Sequence, residues 1–463
     1  MAFPQTPLAI TVELLLGGVW TAISTDLYAR DDIVIKRGRS REGAQVDTST
    51  CELTINNVDG HFTPRNPASP LYGLIGRNTP LRVSVLADSG LRYYRFAGEV
   101  SEWPTRWISG GLDVWVPIQA SGVLRRLEAG SPPPRDAMRR FVDVHEAALL
   151  SYWPFTEDAG ARSATEVAAG GQPIRALGQS GSFFQDQPEW GSGQLAPWLD
   201  DVAQLPQRKT GGTLTGSVSV ADTTGWSVDH VRSGTGRVEN LYLRDAGEGT
   251  NADPRVQWRL ECDATTAGDT LKVYIEETDD TGATETLVDT VSSPGIYDAD
   301  PHHVRLTVAD DGASGTDWEL YLDGALAASG NRSGVATQAL SGVTYTWAAE
   351  DTSETTEAVA LGHLAYWGTG APHAIDAYRA LLGHERERAG RRIERICAED
   401  GVALTVHGDL DDTHEMGPQR PGALLMLLRA AEAVDGGTLG ESRQEVALEY
   451  RTGRSRYNQG AAV

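Results

Sequence analysis

Apolar and polar residues alternate with period two through most of the chain. Near the N-terminus the apolar positions are Cys51, Leu53 and Ile55, then Leu81, Val83 and Val85, then Val114, Val116 and Ile118. Each run ends in turn formers, among them Asn56, Asn57, Asp59 and Gly60, and further on Pro64, Asn66, Pro67 and Pro70. Short alternating runs broken by such clusters predict antiparallel strands in a small barrel or sandwich. The middle of the chain repeats the pattern at Leu271, Val273 and Ile275, at Val304, Leu306 and Val308, and at Trp318, Leu320 and Leu322, with acidic glycine turns between. Many short, evenly spaced strands over some two hundred residues predict a two-sheet jelly roll.

Helical periodicity is confined to three stretches. Residues 136–150 follow the proline-rich joint Ser131-Pro132-Pro133-Pro134. Residues 374–399 carry Ile375, Tyr378, Leu382, Ile393, Ile396 and Cys397, weakened by Gly383 and Gly390. Residues 421–433 open at Pro421, carry four leucines and stop at Gly436-Gly437. Residues 445–450 alternate again. These patterns predict a mostly-β protein in four parts: an N-terminal β-barrel or sandwich over 1–130, a proline-rich hinge with a short helix over 131–147, a jelly roll over 148–370, and an α+β part over 371–463.

The charge distribution sharpens that division. The net charge is −24, yet residues 147–372 alone hold 12 basic and 33 acidic residues, and both flanks are near neutral. A composition step at each edge is the mark of an insertion. Such acidity disfavours nucleic acid, since a duplex would be repelled. No run approaches the ~20 apolar residues of a membrane helix, and the first residues lack the basic segment of a secretory signal. Arginine outnumbers lysine 37 to 3, in keeping with a GC-rich genome. Cys51, Cys262 and Cys397 are too few and too scattered for a disulfide framework or a CxxC site.

Catalytic motifs are missing. None of the three lysines stands in a Gly-Lys-Ser/Thr context, so there is no Walker A loop. His145-Glu146, His384-Glu385 and His414-Glu415 each lack the second histidine of HExxH, and no GxSxG occurs. Glu261-x-Asp263 and Glu277-x-Asp279 begin the Glu-x-Asp-x-x-Glu pattern of jelly-roll glycosidases, but Thr266 and Gly282 stand where its last carboxylate belongs. His302-His303 suggests a metal site, yet neighbouring residues of a strand face opposite ways. Trp153 and Trp318 suggest sugar stacking, but large aromatics on strands more often fill a core. Acidic turns such as 279–282 and 310–312 suggest calcium, but no spaced ligand loop accompanies them and a solvated turn is the more ordinary reading. Arg386, Arg388, Arg391, Arg392 and Arg395, interleaved with Glu385, Glu387 and Glu394, read as an exposed salt-bridged helix face. No catalytic, cofactor-binding or metal-ligating residue is assigned, calcium in the jelly roll being the one ion in view, and no enzyme is expected.

Two resemblances add to this reading. Ser151-Tyr152-Trp153-Pro154-Phe155-Thr156-Glu157, His302-His303-Val304-Arg305-Leu306-Thr307-Val308, Trp318-Glu319-Leu320-Tyr321-Leu322-Asp323-Gly324 and Leu361-Gly362-His363-Leu364-Ala365-Tyr366-Trp367 resemble the strands of the LamG-like, concanavalin-type jelly-roll family, with Pro301 in place of its usual tryptophan. The two ends resemble tail-hub (baseplate hub, minor tail) proteins of actinobacterial siphophages. Asn56-Asn57, Asp59-Gly60-His61-Phe62-Thr63-Pro64-Arg65-Asn66-Pro67 and Gly76-Arg77-Asn78-Thr79-Pro80 carry that likeness, with Ala389-Gly390-Arg391-Arg392-Ile393, Gly417-Pro418-Gln419-Arg420-Pro421 and Tyr457-Asn458-Gln459 on the far side. The second resemblance implies a virion structural protein at the tail tip that links the tail tube to the host-recognition apparatus. Its implied partners are further copies in a ring, a trimer with a hexamer as the alternative, the distal tail protein, the tail tube, the tape-measure protein and envelope glycans met by the insertion. Related hubs run on past the Tyr-Asn-Gln stretch, which implies a fragment or a missing C-terminal part. A cell-surface lectin outside any virion and a polysaccharide-cleaving enzyme stay open as alternatives.

Overall fold

The computed structural model describes residues 9–457 except for 29–30, 42–43, 88, 111–112, 129–133, 169–171, 177–186, 207–210, 219–223, 236–237, 252, 265–268 and 349–357. The joint at Ser131–Pro133 and the Asn458-Gln459 pair lie outside the described residues. The fold is mostly β, as the alternation predicts, with a few helices concentrated towards the C-terminus. The chain divides into two compact units, one of Met1–Pro134, Arg386–Met416 and Gly422–Val463, the other of Arg135–Glu385 and Gly417–Pro421.

In the first unit the described strands form an eight-stranded antiparallel sheet. The strands Ala9–Leu16, Asp47–Asn56, Thr79–Leu86 and Val114–Ser121 send alternate residues inward, so Val12, Leu14, Leu53, Ile55, Leu81, Val83, Val116 and Ile118 share one core, to which Arg92–Glu102 adds Phe96 and Val100 from a continuously buried stretch. The Asn-Asn-x-Asp-Gly stretch builds the loop that covers this core. Asn57 Oδ1 accepts from Phe62 N at 2.8 Å, Asn57 Nδ2 donates to Thr63 Oγ1 at 2.9 Å, and Asn66 Nδ2 donates to Gly60 O at 3.1 Å. These bonds hold Phe62 in the core. The most distinctive sequence of the N-terminal part is therefore loop architecture.

Residues from beyond the second unit complete the first. A mixed three-stranded sheet of Leu404–His407, Leu448–Arg451 and Thr438–Glu441 packs with the helices Ala389–Glu399 and Leu424–Asp435 against Val123, Leu124 and Leu127. The buried Glu441 carboxylate ties the two stretches of chain together, accepting from Ser49 N and Leu124 N, each at 2.7 Å, and from Ser49 Oγ.

The second unit is a sandwich of two antiparallel sheets, each eight-stranded among the described residues. One sheet includes Val238–Asp245, Arg255–Asp263, Thr270–Asp279 and Leu340–Ala348; the other includes Gly225–Ser233, His302–Asp310, Gly315–Leu322 and Ala358–Trp367. Leu241, Trp258, Leu260, Val273 and Trp347 from the first meet Trp226, Val228, Leu306, Trp318 and Leu320 from the second in a single core. The entering strand Leu149–Trp153 pairs with the leaving strand Ala358–Trp367, Trp153 opposite Leu364. Entry and exit are thus adjacent, which is what lets a domain sit inside another sequence.

Two helix expectations change. The helix Ala137–Val144, read from the sequence as part of a hinge, packs Met138, Phe141 and Val142 into the sandwich unit's core, capped by Asp136 Oδ1 accepting from Arg139 N at 2.6 Å. The stretch 374–399 is two helices, Ala374–Leu381 and Ala389–Glu399. Gly383, His384 and Arg386 between them take positive φ angles of 61°, 51° and 63°. A Cβ on Gly383 would lie 2.9 Å from Gln419 N, so glycine is needed at that break. Gly390, by contrast, stays helical.

Candidate functional site

The sheet containing Gly225–Ser233 has an outward face that is polar along its centre. Register places Asp229 opposite Arg305 and Arg305 opposite Tyr321, with Ser227 opposite Thr307 and Thr307 opposite Glu319 in the next row. Ser227, Arg305, Thr307, Glu319 and Tyr321, with Gly368–Ile375 as a wall, line an open groove of about 430 Å³, and Asp229 lies buried beneath Arg305. The far corner is the tight turn after Gly315–Leu322. Gly324 there has φ 78°, and a Cβ would lie 2.7 Å from Ile375 Cα, so only glycine lets the turn meet the wall.

The floor is rigid and charged. Arg305 Nη2 donates to Asp229 Oδ2 at 2.6 Å, and its other nitrogens reach Asp229 Oδ1 and the Pro372 carbonyl. Trp367 Nε1 donates to the same Oδ2 at 2.9 Å, and His303 Nε2 lies 3.5 Å from Oδ1. Burial alone would raise the Asp229 carboxyl; Arg305 and His303 instead hold it well below the usual carboxylate range. Above this floor Ser227 is buried, and Thr307, Glu319 and Tyr321 are half-buried. Ser227 Oγ and Thr307 Oγ1 lie 3.0 Å apart, and Tyr321 OH donates to Glu319 Oε2 at 2.7 Å, a bond that raises the phenol's pKa and keeps it a donor. Two hydroxyls, a carboxylate, a phenol ring and the exposed His373 make a surface of alternating donors and acceptors around one aromatic face.

The sequence candidates fall elsewhere. His302 and His303 point to opposite faces, as strand geometry requires. His302 Nδ1 lies 2.9 Å from Asp323 Oδ2 and its Nε2 2.8 Å from Asp298 Oδ1; burial opposes its charge, but these carboxylates raise its pKa. Through these bonds it fastens the hairpin turn to Asp298. Trp153 and Trp318 are buried in the core. The acidic turns spend their carboxylates on their own backbone. Asp279 Oδ1 accepts from Thr281 N at 2.7 Å, and Asp311 Oδ1 accepts from Ala313 N at 2.8 Å and Gly315 N at 3.0 Å. Among the described residues, no group of three or more His, Cys, Asp and Glu side chains is arranged to hold a metal ion. The arginine helix face is only partly exposed: Arg392 is buried, and Arg392 and Arg395 share Glu387 at 2.9 and 2.8 Å, while Arg391 pairs outside with Asp411 and Glu394. The alternation that marked Leu306 and Leu320 as core also marked Arg305, Thr307, Glu319 and Tyr321 as the opposite face. Only the pairing register, which sequence does not carry, brings them together with Asp229 and Ser227.

The second unit is thus a jelly-roll-type β-sandwich with an open polar groove on one sheet. No known protein family matches the chain. No curated protein matches it either. Among solved structures it is similar in part to the receptor-binding domain of botulinum neurotoxin mosaic serotype C/D, at 11% identity and a TM-score of 0.34, over 52% of this chain and 53% of that one. It is similar in like degree to a type C neurotoxin structure described for cell entry dependent on two ganglioside molecules (7% identity, TM-score 0.35, 52% and 53% covered). A serotype D ligand-binding domain in complex with N-acetylneuraminic acid gives 11% identity, a TM-score of 0.34 and 55% of each chain. The chain spans about half the length of the neurotoxin domains it matches, and a likeness this partial carries no argument about ligand or role.

Proposed function

We propose that the chain is a structural subunit of a phage tail tip whose inserted β-sandwich binds cell-envelope glycans in the groove of Ser227, Thr307, Glu319 and Tyr321. The groove carries the glycan part of the reading: neutral sugars are recognised by hydroxyls, a carboxylate and an aromatic face, and Thr307, Glu319 and Tyr321 line the groove with those groups beside the locked Asp229–Arg305 floor. Glycoside hydrolysis commonly needs two flanking carboxyl groups. Glu319 is the one carboxylate among the described residues lining the groove, which favours binding without cleavage. The virion part rests on the likeness of both sequence ends to tail hubs, and the near-neutral flanks suit self-packing better than the acidic insertion does. In this reading the first unit forms a ring, threefold or alternatively sixfold, beneath the distal tail and tube proteins and around the tape-measure protein. The sandwich is the outward module.

Two experiments test it. Calorimetric titration with envelope oligosaccharides is expected to show binding that drops at least about tenfold in Glu319→Ala and Tyr321→Ala, with no new reducing ends on prolonged incubation; binding unaffected by both variants overturns the groove assignment, and released reducing ends overturn the non-enzymatic one. Size-exclusion with light scattering is expected to find a ring that persists when residues 135–385 are deleted, with attachment to cells weakened. A monomer at all concentrations, as expected of a free lectin, overturns the hub assignment.

A further inference from the structure

The first unit carries a second, differently charged concavity. The strand Val34–Gly38, the strands Thr438–Glu441 and Leu448–Arg451, and the helix Gly453–Tyr457 enclose an open groove of about 510 Å³ lined by Arg37, Arg39, Arg443, Arg451 and Arg456. Two of these guanidinium groups are used by the fold. Arg37 donates to Arg95 O at 3.1 Å and Glu441 O at 2.9 Å, and Arg456 donates to Gly436 O at 2.8 Å. The guanidinium groups of Arg39, Arg443 and Arg451 have no hydrogen-bond or ion-pair partner among the described residues.

The two carboxylates in the lining make their direct bonds elsewhere. Glu441 turns its oxygens to Ser49 and Leu124 in the interior, and Glu449 Oε1 faces His407 Nε2 at 2.9 Å. Burial lowers the Arg37 pKa and the neighbouring charge of Arg443 lowers it further, against the opposing pull of Glu449 and Glu441. Five arginines against two carboxylates leave the lining net basic, which stands out in a chain of net charge −24.

We propose that this groove binds a small molecule bearing phosphate groups. A guanidinium presents a planar fork that takes two oxygens at once. Phosphate supplies three acceptor oxygens and about −1.5 to −2 charge per group, where a carboxylate supplies two and one. Several arginines around one concavity are therefore matched by fewer phosphates than carboxylates. The volume lies within the usual range for small-ligand sites, about 300–1,000 Å³.

The test is calorimetric titration of the full chain with tripolyphosphate, with oligoglutamate and short oligothymidylate as parallel arms. Tripolyphosphate is expected to bind more tightly than either, with affinity falling as salt rises. The double variant Arg443→Gln/Arg451→Gln is expected to lose at least about tenfold, while Arg39→Gln alone weakens binding less. Both positions 443 and 451 lie at the groove surface, and an unchanged melting profile verifies that the variant is folded. Absence of binding at millimolar tripolyphosphate overturns the proposal, as does an affinity indifferent to the double variant. Tighter binding of oligoglutamate overturns the phosphate assignment, and tighter binding of oligothymidylate overturns the small-ligand one.

Discussion

Between the two sheets of the sandwich lies a fully buried ion pair, and its removal offers a stringent test of how that unit is held together. Arg232 Nη2 meets Glu239 Oε1 at 2.8 Å, Arg232 Nε meets Oε2 at 3.3 Å, and Tyr345 OH also donates to Glu239. Arg232 further donates to the Ile296 and Gly234 carbonyls and lies over the Tyr297 ring, 5.0 Å from its centroid. Glu239→Gln keeps the shape and removes the charge, leaving a guanidinium in the core with no anion. Breaking one side of a buried pair costs about 3–5 kcal/mol. For a unit of this size each kcal/mol lowers the melting temperature by about 2–4 °C, so the sandwich transition is expected to fall by about 6–20 °C. Replacing the whole polar cluster, with Arg232→Met, Glu239→Leu and Tyr345→Phe together, removes the desolvation penalty along with the attraction and is expected to recover most of the loss. Differential scanning calorimetry of the full chain measures both. A single variant that shifts by less than about 2 °C, or a triple variant less stable than the single, would refute the argument.

Three further outcomes follow from the same kind of reasoning. Burial, aided by Arg232 and His303, pushes His230 down to about 3 from its ordinary 6.5; the neutral ring is favoured in the fold, so its contribution is intact above pH 6.5 and is lost on acidification towards pH 3, at up to about 1.4 kcal/mol per pH unit. Urea unfolding as a function of pH should show that acid limb flattened in His230→Gln, and an unchanged slope contradicts the assignment. Asn57→Ala leaves the Phe62 amide unpartnered beneath the covering loop and is expected to destabilise the first unit by about 1–3 kcal/mol, with the sandwich transition unmoved. Glu441→Ala orphans the amides of Ser49 and Leu124, and an expected loss of about 2–6 kcal/mol confined to the first unit's transition would check that this carboxylate joins the two distant stretches of chain.

The sequence by itself determined which residues form strands, which of their faces are apolar, and where the charge lies, because a strand's period of two and the composition of its turns are local properties. Leu306, Trp318 and Leu320 are core for reasons visible within nine residues, and the buried Trp153 needed nothing further. The asparagines of the covering loop were conspicuous in sequence, but their work of holding Phe62 inside was not. Only the tertiary structure decided that Asp229, Arg305 and Tyr321 share one row, that Arg232 finds Glu239 across the sandwich interior, and that arginines from residues 37–39 and 443–456 surround one groove. Each of these juxtapositions depends on strand register or on pairing between segments far apart in the chain, and neither leaves a mark on the local pattern. The break at Gly383 belongs with them. A lone glycine weakens a helix by only about 1 kcal/mol; the helix ends there in the left-handed backbone of Gly383 and His384, and the close approach of Gln419, thirty-six positions further on, leaves no room for a Cβ at 383.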